Sequence, residues 1–258
     1  MIQYVRFSYR LFMFFTLAFL FLLSSFFINL FTFDDVKRRK RFIKNSNFYR
    51  DLALKVFNIN VNVDNFNVNP DENYLITPNH LSYLDILILK ISDKIVFVST
   101  KEVEETFLFG HLAKYGASVF IDRRTKNNIK EEVETLKKHI QQGFDLVIFL
   151  EGTTSNGDSV LPFKSAFVEI AFQLGVKILP VCIKYTKVND EPLNEKNRDL
   201  IFYYGDMKLF NHVLNFMLKV KSVEVNVKFL EPINPSDFKD RKELSSKIHS
   251  EVLRCYTN

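Results

Sequence analysis

The chain has 258 residues, 47% of them apolar and 28 of them Phe, so material for a sizeable core is not limiting, and one large domain or two small ones would fit. Its formal charge is +5, but residues 1–50 carry nine Lys/Arg against two Asp/Glu, leaving 26 basic and 28 acidic residues in 51–258. A nucleic-acid binder spreads basic residues and stacking aromatics over its folded body, so this distribution argues against that class and against a nucleic-acid partner.

From Leu11 to Phe33 the chain runs 23 residues without a charge. A helix of that length spans about 34 Å, enough for a hydrocarbon core of about 30 Å. A cleaved signal peptide has a shorter apolar region ending in a small-x-small site, and neither feature is present. Six Lys/Arg follow between Lys37 and Lys44, whereas only Arg6 and Arg10 precede the span. The positive-inside rule then places the C-terminal flank and the body in the cytoplasm, on the inner membrane. Next, "NFYRDLALKVF" sets Phe48/Tyr49, Leu52/Ala53 and Val56/Phe57 on one helical face. Such a helix either docks on the body or lies in the headgroup layer. Residues 1–59 therefore read as a membrane anchor: a hydrophobic helix over about 11–33, a basic collar and an amphipathic helix over about 46–58. The anchor is either a true span or a helical hairpin dipping into one leaflet.

Residues 60–258 read as one cytoplasmic domain. "FNINVNVDNF" alternates Ile59, Val61 and Val63 with Asn, the pattern of a half-exposed edge strand. Further strand candidates are "NYLITPN", "DKIVFVST", "ASVFIDR", "DLVIFLEG", "VKILPVCIKY", "DLIFYYGD" and "VEVNVKFLEPI". Helical patterns separate most of them; in the clearest, Ile129, Val133, Leu136 and Ile140 recur on one face and Gly143 supplies the stop. The alternation implies an α/β fold, a single largely parallel sheet flanked by helices. Cys182, inside an apolar run, reads as a small buried hydrophobe, and with Cys255 it forms no disulfide framework.

In an open parallel sheet, sites form at the carboxyl ends of strands. His80, Arg123, Arg124 and Glu151-Gly152-Thr153 all follow strand runs and fall on that edge. Within "TPNHLSYLDILIL", Ser82 and Asp85 fit a capping box that needs no histidine. The same stretch also fits a general base and its orienting acid. Five positions along a regular helix rotate a side chain by about 140°, so His80 meets Asp85 only if His80 lies in the turn and the chain folds back at Leu81-Ser82. Pro78 favours this by disfavouring helix at Thr77. A carboxylate on one ring nitrogen fixes the tautomer, and the other nitrogen takes a proton from an alcohol. No G-x-S-x-G occurs, so the histidine would activate an external hydroxyl, and a lipid hydrolase would lack its nucleophile elbow.

"NHLSYLD" resembles the Asn-His-x-x-x-x-Asp signature of the glycerolipid acyltransferases, typified by 1-acyl-glycerol-3-phosphate acyltransferase. "GASVFIDRR", "FLEGTTSNG" and "ILPVCIKY" resemble that family's second, third and fourth blocks, in order, and the likeness covers roughly residues 60–235. The resemblance implies transfer of a fatty acyl chain from acyl-CoA or acyl-carrier protein to the hydroxyl of a lysolipid, with no cofactor or metal. It implies His80 as general base, Asp85 as its partner, Arg123 on the acceptor phosphate, and Glu151, Gly152 and Thr153 shaping the acceptor site. The primary acceptor is then 1-acyl-glycerol-3-phosphate, giving phosphatidate. Two departures point elsewhere. The lysophosphatidate enzymes commonly read Phe-Pro-Glu-Gly-Thr-Arg in the third block, where this chain has Leu150 and Thr154. Lys164 would replace the missing cation. The longer "EGTTSNGDSVLPFKSAF" and "YYGDMKLF" look more like relatives acting on lysolipids with larger head groups, including lyso-ornithine lipids. The rival of another class is a non-catalytic lipid-binding protein, which predicts a lost reactive residue; His80, Asp85, Arg123 and Glu151 are all present.

Overall fold

The computed structural model describes residues 1–64, 68–89, 92–122 and 129–258. Its strands are β1 (Ile59–Asp64), β2 (Tyr74–Pro78), β3 (Ile95–Thr100), β4 (Val119–Ile121), β5 (Asp145–Val147), β6 (Lys177–Val188), β7 (Glu191–Pro192) and β8 (Val223–Phe229). They form one sheet in the order β1-β8-β6-β2-β5-β3-β4, with β7 paired to β6. Among these strands every pairing is parallel except those of β6 with β7 and β8. The helices are α1 (Ile2–Phe31), α2 (Asp35–Phe57), α3 (Asp85–Ile88), α4 (Lys101–Glu104), α5 (Phe107–Tyr115), α6 (Ile129–Gln141), α7 (Glu169–Leu174), α8 (Leu209–Lys219) and α9 (Arg241–Thr257). This is the largely parallel α/β sheet flanked by helices that the alternation predicts.

The pleat divides the core in two. Tyr74 and Ile76 of β2 join Val147, Val181, Ile183 and Val225 on one face, where α3 and α8 pack. Leu75 joins Leu146, Ile178 and side chains of α6, α7 and α9 on the other. Period two along β2 thus feeds both layers, as a strand buried on both faces must. In α6, Val133, Leu136 and Ile140 are buried as the spacing requires. Beyond it, the chain closes through Gly143, at φ +86°, with the Phe144 amide bonded to the His139 carbonyl at 3.1 Å.

One strand candidate is corrected. "DLIFYYGD" forms no strand: Arg198–Leu200 is a 3-10 turn, and Ile201 and Phe202 are both buried. Its backbone is taken up elsewhere, because the Ile201 carbonyl accepts from Ser82 Oγ at 2.6 Å and the Tyr203 amide donates to the Leu81 carbonyl at 3.1 Å. The segment braces the turn that carries His80 instead of extending the sheet.

The N-terminal segment also differs in detail from its sequence reading. The apolar helix begins at Ile2, and the basic collar and the amphipathic stretch form one continuous helix, α2. It folds back along α1, with Asn45 bonded to Ser24 and Ser25 and Tyr49 edge-on to Phe21. Arg10, 2% exposed, donates to the Val56, Phe57, Val220 and Lys221 carbonyls. These lie at the C-terminus of α2 and just past α8, where carbonyls lack helical partners and the helix dipole is negative. Arg6 adds a bond to the Leu218 carbonyl at 3.1 Å. The hairpin is therefore locked to the body, while Phe12, Phe15, Phe19, Phe26 and Phe31 of α1 remain exposed.

Candidate active site

Parallel pairing of β2, β5, β3 and β4 puts their carboxyl ends on one edge. There β2 ends at Pro78, and Asn79 extends the pairing with its side chain. Its amide donates to the Ile183 carbonyl at 3.0 Å and accepts from the Ile183 amide at 2.7 Å. That two-point tie to β6 fixes where the turn begins. His80 follows with its main chain held on both sides: its amide donates to Glu151 Oε1 at 2.6 Å, and its carbonyl accepts from the Ser155 amide at 3.0 Å. Its ring stacks on Phe149, with centroids 3.8 Å apart and planes 19° from parallel.

The chain folds back at Leu81-Ser82 and brings His80 Nδ1 to 2.8 Å from Asp85 Oδ2. The same oxygen accepts the Leu81 and Ser82 amides at 2.7 and 2.9 Å, and Oδ1 accepts the Tyr185 hydroxyl at 2.8 Å. Asp85 is fully buried, and four donors compensate its desolvation. As the carboxylate only accepts, Nδ1 carries the proton and Nε2 is left as a lone-pair acceptor. Among the described residues Nε2 has no protein partner, and the His80 side chain is 18% exposed. The pair is thus oriented from behind and open in front.

The capping-box reading is half right. The Asp85 carboxylate does reach back to the Ser82 amide, but Asp85 is the first residue of α3, and the Ser82 hydroxyl goes to Ile201. The hydroxyl is buried and committed as a donor, so it is not poised as a nucleophile.

Glu151 is 3% exposed, and its second oxygen accepts the Leu161 amide at 2.8 Å. Both carboxylate oxygens are thus spent on backbone, tying the His80 turn to the loop 151–161. Burial pushes its pKa up to about 7, against the opposing pull of the Leu161 and His80 amides. Gly152 has φ +75°, and a methyl group there would lie 2.5 Å from Lys164 Nζ, so the absent side chain lets Lys164 cross the loop. Lys164 and Thr153 are exposed on this rim. Arg123, with Arg124, lies outside the described residues; β4, which precedes it, ends three strands from β2, about 14 Å away.

Sequence reasoning missed Tyr185, Phe149 and the bracing role of Ile201. Tyr185 is visible only as the phase-matched end of the run Val181, Ile183, Tyr185, a pattern that places it on the His80 face without naming its partner. Burial and the adjacent Asp85 raise the Tyr185 phenol well above its ordinary range, so it stays a donor.

The acyltransferase family model matches residues 60–184, which include all of this turn. The lyso-ornithine lipid O-acyltransferase of Brucella abortus is 31% identical over 185 residues, covering 69% of each chain. The chain belongs to the acyltransferase family. The probable 1-acyl-sn-glycerol-3-phosphate acyltransferase of Mycoplasma genitalium is also 31% identical, over 80% of this chain and 74% of its own. The lyso-ornithine lipid O-acyltransferase of Rhizobium meliloti is 31% identical over 71% of this chain, and the match spans 65% of that relative's length. The crystal structure of the 1-acyl-sn-glycerophosphate acyltransferase PlsC from Thermotoga maritima superposes with a TM-score of 0.71 at 24% identity, covering 99% of this chain and 96% of that one. That likeness establishes the fold, hairpin included.

Proposed function

We propose that the protein is a membrane-attached O-acyltransferase that moves a fatty acyl chain from a thioester, acyl-CoA or acyl-carrier protein, to the free hydroxyl of a lysolipid. The observation that carries this reading is the 2.8 Å contact of His80 Nδ1 with a buried Asp85, which leaves Nε2 facing outward at the strand ends. Nε2 accepts the proton of the acceptor hydroxyl as its oxygen attacks the thioester carbonyl. Asp85 stabilises the imidazolium that forms. Collapse of the tetrahedral oxyanion expels the thiolate, which takes the proton back from His80. No acyl-enzyme is required, in keeping with a Ser82 hydroxyl already donated to Ile201.

For the acceptor, Arg123 and Lys164 supply cations for a phosphate, and the first reading is 1-acyl-glycerol-3-phosphate, giving phosphatidate. Thr154, standing where that branch carries Arg, favours a second reading. A lyso-ornithine lipid, or a lysophospholipid with a larger head group, makes less demand on a third cation. The names of the Brucella and Rhizobium relatives point the same way.

Attachment to the bilayer falls to the α1–α2 hairpin. A helix as basic as α2, folded back along α1 as far as Arg10, is not stable in hydrocarbon. The hairpin then lies in one leaflet, with the exposed Phe residues of α1 in the acyl chains and the exposed Lys37, Lys40, Arg41 and Lys44 at an anionic headgroup layer, which matches the cytoplasmic face. The acceptor and product are lipids, so a site held at that surface has direct access to both.

Acyl transfer to a panel of lysolipids in vesicles, with His80→Ala alongside, tests the reading. Loss of roughly a thousandfold or more in His80→Ala is expected. Undiminished activity in that variant overturns the mechanism, and the best acceptor in the panel decides between the two readings.

A further inference from the structure

We propose that Tyr185 is a positioning residue of this site: its hydroxyl, donated to Asp85 Oδ1 at 2.8 Å, holds the carboxylate with Oδ2 toward His80 and tempers the negative charge that the imidazolium meets. The inference rests on the base role given to His80.

Three donors to Asp85 come from its own turn: the His80 ring and the Leu81 and Ser82 amides, all on Oδ2. With those three donors on Oδ2 and Asp85 fully buried, Oδ1 needs a donor of its own. Tyr185 reaches in from β6, one hundred residues away in sequence, and is the donor that fixes the other oxygen. The ring is itself immobile. Tyr185 is 4% exposed, is registered against Val225 of β8, and meets Phe202 edge-on at 5.6 Å. A phenol so held cannot turn to water. It also takes up part of the carboxylate's accepting power, as any donor to a charged acceptor does.

The other titratable groups facing the pair are Glu151 from the loop after β5, Tyr83 from the turn itself, Tyr256 from α9, and Cys182 and Arg198 beyond Tyr256. Tyr83 is engaged by His212 of α8 at 3.1 Å, and Tyr256 donates to the Gly157 carbonyl at 2.8 Å. Neither reaches Asp85 by a hydrogen bond, so neither replaces Tyr185.

Tyr185→Phe removes the donor and keeps the ring. With Oδ1 unpaired, Asp85 presents more charge to His80, the imidazolium is favoured, and a higher pH is needed to free the base. The ascending limb of the kcat/KM profile for acyl transfer is expected to move up by about half to one pH unit, with kcat down roughly 10- to 100-fold and acceptor KM little changed. Repeating the profile in a Glu151→Gln background removes the neighbouring carboxylate that titrates in the same range. Replacing Tyr185 by 3-fluorotyrosine, a stronger donor of the same shape, is expected to move the limb the other way, and this serves if Tyr185→Phe does not fold. A limb that stays put in either variant, whether activity is retained or falls in step with the folded fraction, overturns the inference. His80→Ala separates the two levels. If it remains active, the base role fails and takes this inference with it; if it is inactive while the limb of Tyr185→Phe stays put, only the role of Tyr185 fails.

Discussion

Two buried charges organise two different parts of this molecule, and they are satisfied in opposite ways. Asp85, at the edge of the sheet, collects three of its four donors from residues within five positions of itself. Arg10, in the hairpin, finds its acceptors in carbonyls 46 to 211 positions away. Asp85 keeps a neighbouring ring nitrogen pointed at solvent, where chemistry is possible. Arg10 faces only helix ends and faces no opening. Under the proposed function the local charge serves a reaction, whereas the long-range charge joins the hairpin to the body.

Substitution at each position should therefore break different things. Asp85→Asn has one acceptor oxygen and an NH₂ group for four donors, so the His80 tautomer is no longer enforced. Acyl transfer is expected to fall by roughly a thousandfold to ten-thousandfold, measured as kcat at saturating acceptor. Arg10→Met should reverse the pattern. It leaves the four carbonyls without their guanidinium and costs about 3 kcal/mol of stability, read as a fall in Tm and as proteolysis between α1 and β1. Its kcat on a short-chain, micellar acceptor should stay within a few-fold. If Arg10→Met abolishes kcat while Tm holds, the division of labour between the two charges fails.

The same contrast explains what can be read from sequence. The His80–Asp85 contact is legible because a turn of six residues confines its own geometry, and short continuous apolar runs mark the described strands that end at the site. Arg10 reads only as a flanking charge, since its acceptors are backbone carbonyls that no residue pattern marks. "DLIFYYGD" misleads because a short apolar run reports burial and not pairing; here Ile201 and Phe202 are buried without a sheet partner. Tyr185 falls into the same gap, its face legible and its partner not.

Glu151 tests the comparison at finer grain, because it is a second buried carboxylate on the same edge with half as many donors. It accepts two backbone amides where Asp85 accepts four groups, and burial outweighs them, lifting its pKa to about 7. The folded protein thus binds this proton more readily than the unfolded chain, whose carboxylate titrates near 4.5. Its contribution to stability is fully present below that lower value and is lost as pH rises through about 7. Between about pH 4.5 and 8 the wild type should lose up to roughly 3 kcal/mol relative to Glu151→Gln, seen as a steeper fall of Tm with pH. The glutamine side chain in that variant keeps one acceptor oxygen, so a small constant offset between the two curves is expected and does not affect the slope. Parallel curves would mean that two backbone amides suffice to hold a buried carboxylate, and that the four donors on Asp85 exceed what its charge requires.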